Sequence, residues 1–440
     1  MAQLANREYN QEVLGALFRP PSRAYWITVG LLALGILWGA LCWAYQIYTG
    51  MGVAGISHPV GWGTYIVSFV FWIGIGHAGT LISAILYLFR ARWRPAIYRA
   101  AEAMTVFAVM TAGLFPLIHL GRVWVFYMIL PYPNQRHLWP NFKSPLVWDV
   151  VAVTTYLTIS VLFWYAGMIP DLAAARDSST GRRHRIYRLL SLGWRNEHDQ
   201  WRHYLRAYMC LAALATPLVL SVHSVVSWDF AMSLLPGWHT TIFAPYFVAG
   251  AIHSGLAMVI ILMIPMRHWL HLERLITIKH FEQAALLMVF IAFIMGYAYL
   301  VETFISWYTG DVFERQFALW RLVGSYGWAF VSMVLCNVFV PMLFFFKKIR
   351  TSLVGLFLVS LAVVYGMWIE RFVIIVDSTA HDFIPHNWGL YSPTWVEISI
   401  LVASFCWFLF WFFLFTKYVP VVSIAESKEE RIHEQLEAAL

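Results

Sequence analysis

Three residues could do chemistry together: His119, Arg122 and Asp149. His119 and Arg122 are three apart, a spacing that shares one helix face, and Asp149 opens the next apolar segment at a similar depth if the two run antiparallel. A His that takes up a proton near neutral pH, oriented by a carboxylate, is what oxidation of a hydroquinone needs, because each hydroxyl loses its proton as the electron leaves. His119 and Asp149 are therefore the candidate catalytic pair. Pro116 would loosen the helix and make room for a ring, and Trp148 adjoins Asp149, so the candidate quinone-binding set is His119, Arg122, Asp149, Trp148 and Pro116. A packed polar network would use the same residues, and the residue types leave both readings open.

Other polar residues lie inside apolar runs. His77 and His253 fall mid-span, Glu102 and Glu282 toward one end, and Glu302, Arg321, Glu370 and Arg371 toward the other. They could form a proton path, or only helix-to-helix hydrogen bonds. His223 and Asp229, and Asp377, His381 and Asp382, are expected on a wet surface that docks a partner. No paired-ligand spacing suggests a metal. The four Cys (Cys42, Cys210, Cys336 and Cys406) are isolated in apolar stretches without a C-x-x-C, so the chain is expected to ligate no haem or iron–sulfur cluster of its own and to form no disulfide.

The elements that must position these residues follow from composition. Of 440 residues, 60% are hydrophobic and 12% charged, against roughly 25% charged in soluble domains, which excludes a conventional water-soluble enzyme. Aromatic residues reach 18%, as at membrane interfaces. Apolar segments run at 24–48, 62–89, 99–130, 146–169, 204–230, 239–266, 281–308, 317–346, 352–376 and 393–418. Each meets the length of roughly 20 residues that a spanning helix needs. The expected fold class is an all-α integral membrane protein of ten transmembrane helices, since lipid cannot satisfy an open backbone and barrel alternation is absent.

Basic residues set the orientation. Outside the spans only Arg136, Lys143 and Arg315 fall on one side, while the terminal segments and the alternate loops hold the rest, including Arg90, Arg92, the run from Arg176 to Arg206, Lys347 and Lys428. By the positive-inside rule both termini are cytoplasmic in a bacterial inner membrane. The net charge of +7 is thus topological and argues against nucleic acid. The longest loop, about 171–203, carries Arg182, Arg183 and Arg185 and reads as a solvated surface facing lipid headgroups. The polar first residues lack a signal-peptide pattern, and the tail from Glu426 could form a short amphipathic helix.

The chain repeats itself. Residues 61–79 match 237–255, with Trp62 on Trp238, Thr64 on Thr240, Phe71 on Phe247, Gly74 on Gly250, His77 on His253 and Gly79 on Gly255. The expected organisation is a cytoplasmic segment 1–23, a flanking span in 24–61, a first four-helix bundle 62–230, a second 231–376, a flanking span in 377–418 and a tail 419–440. The copies are parallel, since four spans separate them. Between them Arg122 and Asp149 are exchanged for Glu302 and Arg321, and His119 for Tyr299. One ion pair per bundle is expected, Arg122 with Asp149 and Glu302 with Arg321, because an unpaired charge in lipid is costly.

On the stretches beginning His58-Pro-Val-Gly-Trp-Gly, Phe71-Trp-Ile-Gly-Ile-Gly-His, Val222-His-Ser-Val-Val-Ser-Trp-Asp, Pro236-Gly-Trp-His and Trp368-Ile-Glu-Arg-Phe, the chain resembles the polysulfide-reductase-type (NrfD-like) quinone-interacting membrane subunits, most closely the C type of bacterial alternative complex III (ActC). The resemblance covers nearly the whole chain. It implies a two-bundle fold with a menaquinol or quinol site in the outer half of the first bundle, using a His and an Asp that fall on His119 and Asp149. It also implies a periplasmic iron–sulfur (ActB-like) partner, c-type cytochromes that carry the haems, a paralogous membrane subunit (ActF-like) and surrounding lipids. The residues leave open whether quinol oxidation in such a respiratory chain is coupled to proton translocation. The alternatives are a membrane anchor of a molybdenum-enzyme reductase, a secondary transporter, which a repeated bundle with midplane His residues also suits, and a structural assembly subunit.

Overall fold

The computed structural model describes residues 13–424 apart from 90, 92, 132, 133 and 139, and apart from the side chains of 81, 140 and 141. Arg90, Arg92, Lys428 and the expected tail helix from Glu426 lie outside the described residues. Among the described residues ten helices are long and apolar enough to cross a membrane: α1 (Arg23–Thr49), α2 (Thr64–Leu88), α3 (Tyr98–His119), α4 (Pro145–Asp177), α6 (His198–Ala231), α7 (Phe243–Trp269), α8 (Ile278–Tyr308), α10 (Gly327–Phe345), α11 (Leu353–Ala380) and α12 (Trp395–Tyr418). Two shorter helices, α5 (Gly181–Leu190) and α9 (Val312–Val323), join them. The protein is the all-helical, multi-pass membrane protein expected, with no strand among the described residues.

The repeated helices α2 and α7 are the most enclosed, and they pack on each other through small residues: a side chain on Gly255 would meet Ala78 Cβ at 1.9 Å, while on the neighbouring side of α2 one on Gly79 would meet the Ala101 carbonyl of α3 at 2.0 Å. Such close backbone approach drives helix association where lipid is as apolar as leucine. Trp62 and Trp238, matched in the repeat, lie with ring centroids 5.8 Å apart. The flanking helices α1 and α12 pair through Gly39, whose absent Cβ would strike Ala403 at 2.1 Å. α1 turns Leu31, Leu34, Leu37 and Leu41 outward, the lipid-facing side of a flanking helix.

Two segment boundaries differ from expectation. The third span does not run to residue 130: α3 ends at His119, Gly121 takes φ 67° to reverse the chain, and residues 123–129 form a 3-10 helix. The eighth apolar run is two helices. The amphipathic α9, capped by Asp311, which accepts from Phe313 and Glu314, stops at Gly324, where a Cβ would meet the Trp320 carbonyl at 2.5 Å. Arg321 therefore belongs to α9, outside the spans. α10 and α11 contain π-helical turns at Leu335–Phe339 and Val373–Asp377, which aim Asn337 and Asp377 inward.

The face opposite residues 13–23 and 417–424 is closed by Glu397, fully buried at the start of α12. It accepts from Gly55 N at 2.8 Å, Tyr391 Oη at 2.7 Å and Thr394 N at 2.9 Å, so one carboxylate ties the loop after α1, the loop before α12 and the α12 cap together.

Candidate functional site

His119 ends α3, Asp149 lies on the first turns of α4 and Asp229 on the last turn of α6. All three are therefore at the face away from residues 13–23. Asp149 is 5% exposed. Its carboxyl faces that of Asp229 within hydrogen-bonding reach, and a hydrogen bond between two carboxyls requires a proton on one of them. Neither Asp149 oxygen, nor Asp229 Oδ1, nor His119 Nδ1 has any other hydrogen-bond partner, although all are shielded from solvent. Buried polar atoms are nearly always paired; three such residues at one end of a bundle fit a molecule that brings its own hydroxyl or carbonyl oxygens.

The expected ion pair Arg122–Asp149 does not form. Because α3 stops at His119, Arg122 lies beyond the turn at Gly121, exposed, and does not share a helix face with His119. Pro116 lies in the last turn of α3, half-buried. Trp148 donates to the Phe142 carbonyl at 3.1 Å, and its ring meets Trp228 edge-on at 6.4 Å. Sequence reasoning placed Asp229 on a docking surface; the signal it missed is Trp228-Asp229, the same dipeptide as Trp148-Asp149. Trp124, Phe126, Tyr127 and Phe142 are exposed on the segment after His119, an apolar rim of the kind that marks binding surfaces.

The second half places different chemistry at the matching positions. Glu302 and Arg321 form the expected pair at 2.5 Å. Tyr299, the counterpart of His119, donates to Glu370 and accepts from Asn337 Nδ2 at 3.0 Å, while Arg371 pairs with Glu370 at 3.0 Å and lies over the Phe247 ring at 4.2 Å. The acidic and basic groups there have been given partners. Asp377 and His381, expected on a wet surface, are buried instead: Asp377 accepts from Trp320 Nε1 at 2.8 Å, and His381 stacks on Trp388 with centroids 3.8 Å apart.

The mid-span histidines do not meet in one chain. His77 binds the Ile73 carbonyl, stacks on Tyr156 at 4.5 Å and lies 4.6 Å from the His223 ring, so His223 is an interior residue too. Tyr156 donates to the Gly76 carbonyl at 2.8 Å and to Thr80 Oγ1 at 3.1 Å. His253 lies elsewhere, fully buried on α7. Toward the other face, Glu102 accepts from Tyr208 at 3.1 Å, and Arg99 binds Asp171 at 2.7 Å. Glu282 is paired at the surface with Arg350 at 2.8 Å. Among the described residues no three His, Cys, Asp or Glu side chains converge to hold a metal ion.

A family model described as polysulphide reductase, NrfD, matches residues 52–381. A putative dimethyl sulfoxide reductase membrane subunit of Halobacterium salinarum is 31% identical over 240 residues, covering 54% of this chain and 50% of the relative. The aligned segment thus spans half the length of that protein. A selenate reductase subunit of Mesobacillus selenatarsenatis is 23% identical over 90% of this chain and 93% of its own. An Hdr-like menaquinol oxidoreductase integral membrane subunit of Archaeoglobus fulgidus is 21% identical over 68% and 66%. None of these three is named as part of an alternative complex III.

Proposed function

We propose a function from the premise that this chain belongs to the polysulphide reductase NrfD family: it is the quinol-oxidising membrane subunit of a multisubunit respiratory oxidoreductase. One observation carries the site. Asp149 is buried and His119 and Asp229 are half-buried, beside an apolar rim, and both Asp149 oxygens, Asp229 Oδ1 and His119 Nδ1 are solvent-shielded without a partner that would satisfy them, while the repeat-related Tyr299, Glu302 and Arg321 are paired. A quinol entering from the lipid would give its two protons to His119 and to the carboxyl pair. Its two electrons would leave to an iron–sulfur cluster in a partner protein seated on the rim of Trp124, Phe126 and Tyr127. The chemistry balances as quinol to quinone plus two protons and two electrons. Arg122, exposed at that rim, faces the partner side of the site in this reading.

The relatives named for dimethyl sulfoxide and selenate reductases favour a terminal reductase of the molybdoenzyme type as the whole complex. The menaquinol oxidoreductase relative supports menaquinol as the donor. A second reading rests on His119 and Asp149 alone: an alternative complex III passing electrons through the iron–sulfur partner to c-type cytochromes, alongside a second membrane subunit. Purification of the native complex in mild detergent, with identification of its proteins and metal and haem analysis, separates them. Molybdenum with clusters and no haem supports the reductase; multihaem cytochromes without molybdenum support the second reading. A lone chain without any redox partner would overturn both and return a transporter or a structural role to consideration.

A further inference from the structure

We propose that the turn between α5 and α6, residues 188–195, dips into the membrane and holds the headgroup of an anionic phospholipid. α4 has 33 residues, about 50 Å at the helical rise, against about 30 Å of hydrocarbon. With Asp149 at one boundary, the hydrocarbon ends about 20 residues on, near Ile169, and roughly two turns of α4 stand clear of it. α5 folds back down this protruding length. At its upper end His184 Nδ1 meets the Arg176 carbonyl at 3.0 Å, and at its lower end Tyr165 donates to the Leu190 carbonyl at 2.7 Å. Tyr204 Oη reaches the Gly167 carbonyl at 3.5 Å, which fixes the start of α6 at the same level. The turn is thus held at the lipid boundary.

Its two sides differ. The inner side is anchored: Tyr187, Ser191 and Trp194 are buried, and Arg176 donates to Ser191 Oγ at 3.3 Å and to the Trp194 carbonyl at 2.9 Å. The outer side presents Leu189, Leu190 and Leu192, all exposed, with Leu192 at φ 47°. Exposed leucines at a strained tip gain nothing in water, whereas at the boundary they enter the acyl region. Arg188 and Arg195 in the turn and Arg206 on the first turns of α6 are exposed. The Arg195 guanidinium reaches Glu197 at 4.0 Å, and those of Arg188 and Arg206 meet no acidic side chain among the described residues. Planar guanidiniums beside an apolar tip fit a lipid phosphate, which they bind in bidentate fashion.

The test uses the full chain, in its native complex, with phosphatidylglycerol and phosphatidylcholine as probes and native mass spectrometry as the readout. Wild type is expected to retain phosphatidylglycerol preferentially. The triple variant Arg188→Gln, Arg195→Gln, Arg206→Gln is expected to lose on the order of a hundredfold in apparent affinity, at roughly fivefold for each arginine. The pair Arg267→Gln, Lys347→Gln, elsewhere on the basic face, should leave the preference in place. Equal retention of both lipids by wild type, or undiminished retention by the triple variant, would overturn the proposal. In nanodiscs, a fluorophore on Leu192→Cys should be quenched by spin-labelled lipid; an unquenched label would show that the tip stays in water and would also overturn it.

Discussion

The carboxyl groups of Asp149 and Asp229 face each other across α4 and α6, with the rings of Trp148 and Trp228 packed edge-on beside them. The same Trp-Asp dipeptide supplies both halves of the pair from two different helices. A proton between the carboxyls leaves one oxygen able to accept another, and His119 lies at the same face. In the proposed chemistry the pair, and not Asp149 alone, takes the proton. Asp229→Asn is expected to lower quinol-dependent turnover roughly 10²-fold, the low end of a general-base contribution, without loss of assembly. Steady-state oxidation of a soluble menaquinol analogue by the purified complex measures this; unchanged turnover would reduce Asp229 to a packing role.

The ion pair of Glu302 and Arg321 gives a stability prediction. Both side chains are largely buried, at 12% and 10% exposure, and removing one partner of such a pair costs about 3–5 kcal/mol because the other charge is stranded. Glu302→Gln should lower the unfolding temperature measurably in detergent, and adding Arg321→Met should recover most of the loss. Arg122→Gln, at the repeat-related position but exposed, should stay within about 0.5 kcal/mol of wild type. Thermal unfolding of the four proteins checks all three statements.

Much of the fold was legible in the sequence because lipid forces long apolar helices, and ten of them were countable by length and charge. What escaped were breaks hidden inside apolar runs. Nothing in the hydropathy of residues 99–130 marks His119 as the end of a helix; Gly121 does so through its left-handed backbone, and that turn is why Arg122 never reaches Asp149. Gly324 and Gly327 likewise divide an apolar run into α9 and α10. The site was half legible: His119 and Asp149 stood out by residue type, whereas Asp229 and His223 were assigned to a surface because their burial depends on which face of α6 packs against α2 and α4. Asn337 and Tyr156 carry no charge, and so gave no signal until packing placed them.

Glu314 on α9 supplies a pH dependence outside the membrane. Burial raises its carboxyl above the ordinary range, opposed by the Gly237 N–H that both of its oxygens receive at 3.2 Å. A carboxyl raised in the folded state binds its proton more tightly there than in the unfolded chain. Its unfavourable effect is therefore absent below the unfolded value and grows as pH rises through the folded one. Glu314→Gln should raise thermal stability relative to wild type at pH 8, and the difference should shrink toward pH 4. A difference that widens on acidification would reverse the sign and contradict burial as the dominant influence.

The close contact of α2 with α3 predicts intolerance at Gly79. An added methyl would lie 2.0 Å from the Ala101 carbonyl and 2.3 Å from Thr105 Oγ1, so the helices would have to separate. Gly79→Ala should cost about 1–3 kcal/mol, as overpacking does. Gly113, with nothing within 4 Å of the added atom, should accept alanine without loss. Detergent-resistance melts of the two variants distinguish these outcomes.

The most direct measurement is electron transfer from a menaquinol analogue into the purified complex, followed as cluster or haem reduction, in wild type, His119→Ala, Asp149→Asn and, as a control at the repeat-related position, Tyr299→Phe. A quinol site at His119 and Asp149 requires that both first-half variants lose at least about 10²-fold in rate while the complex stays fully assembled, and that Tyr299→Phe retains most of it. Wild-type rates in His119→Ala and Asp149→Asn, or a loss confined to Tyr299→Phe, would contradict it.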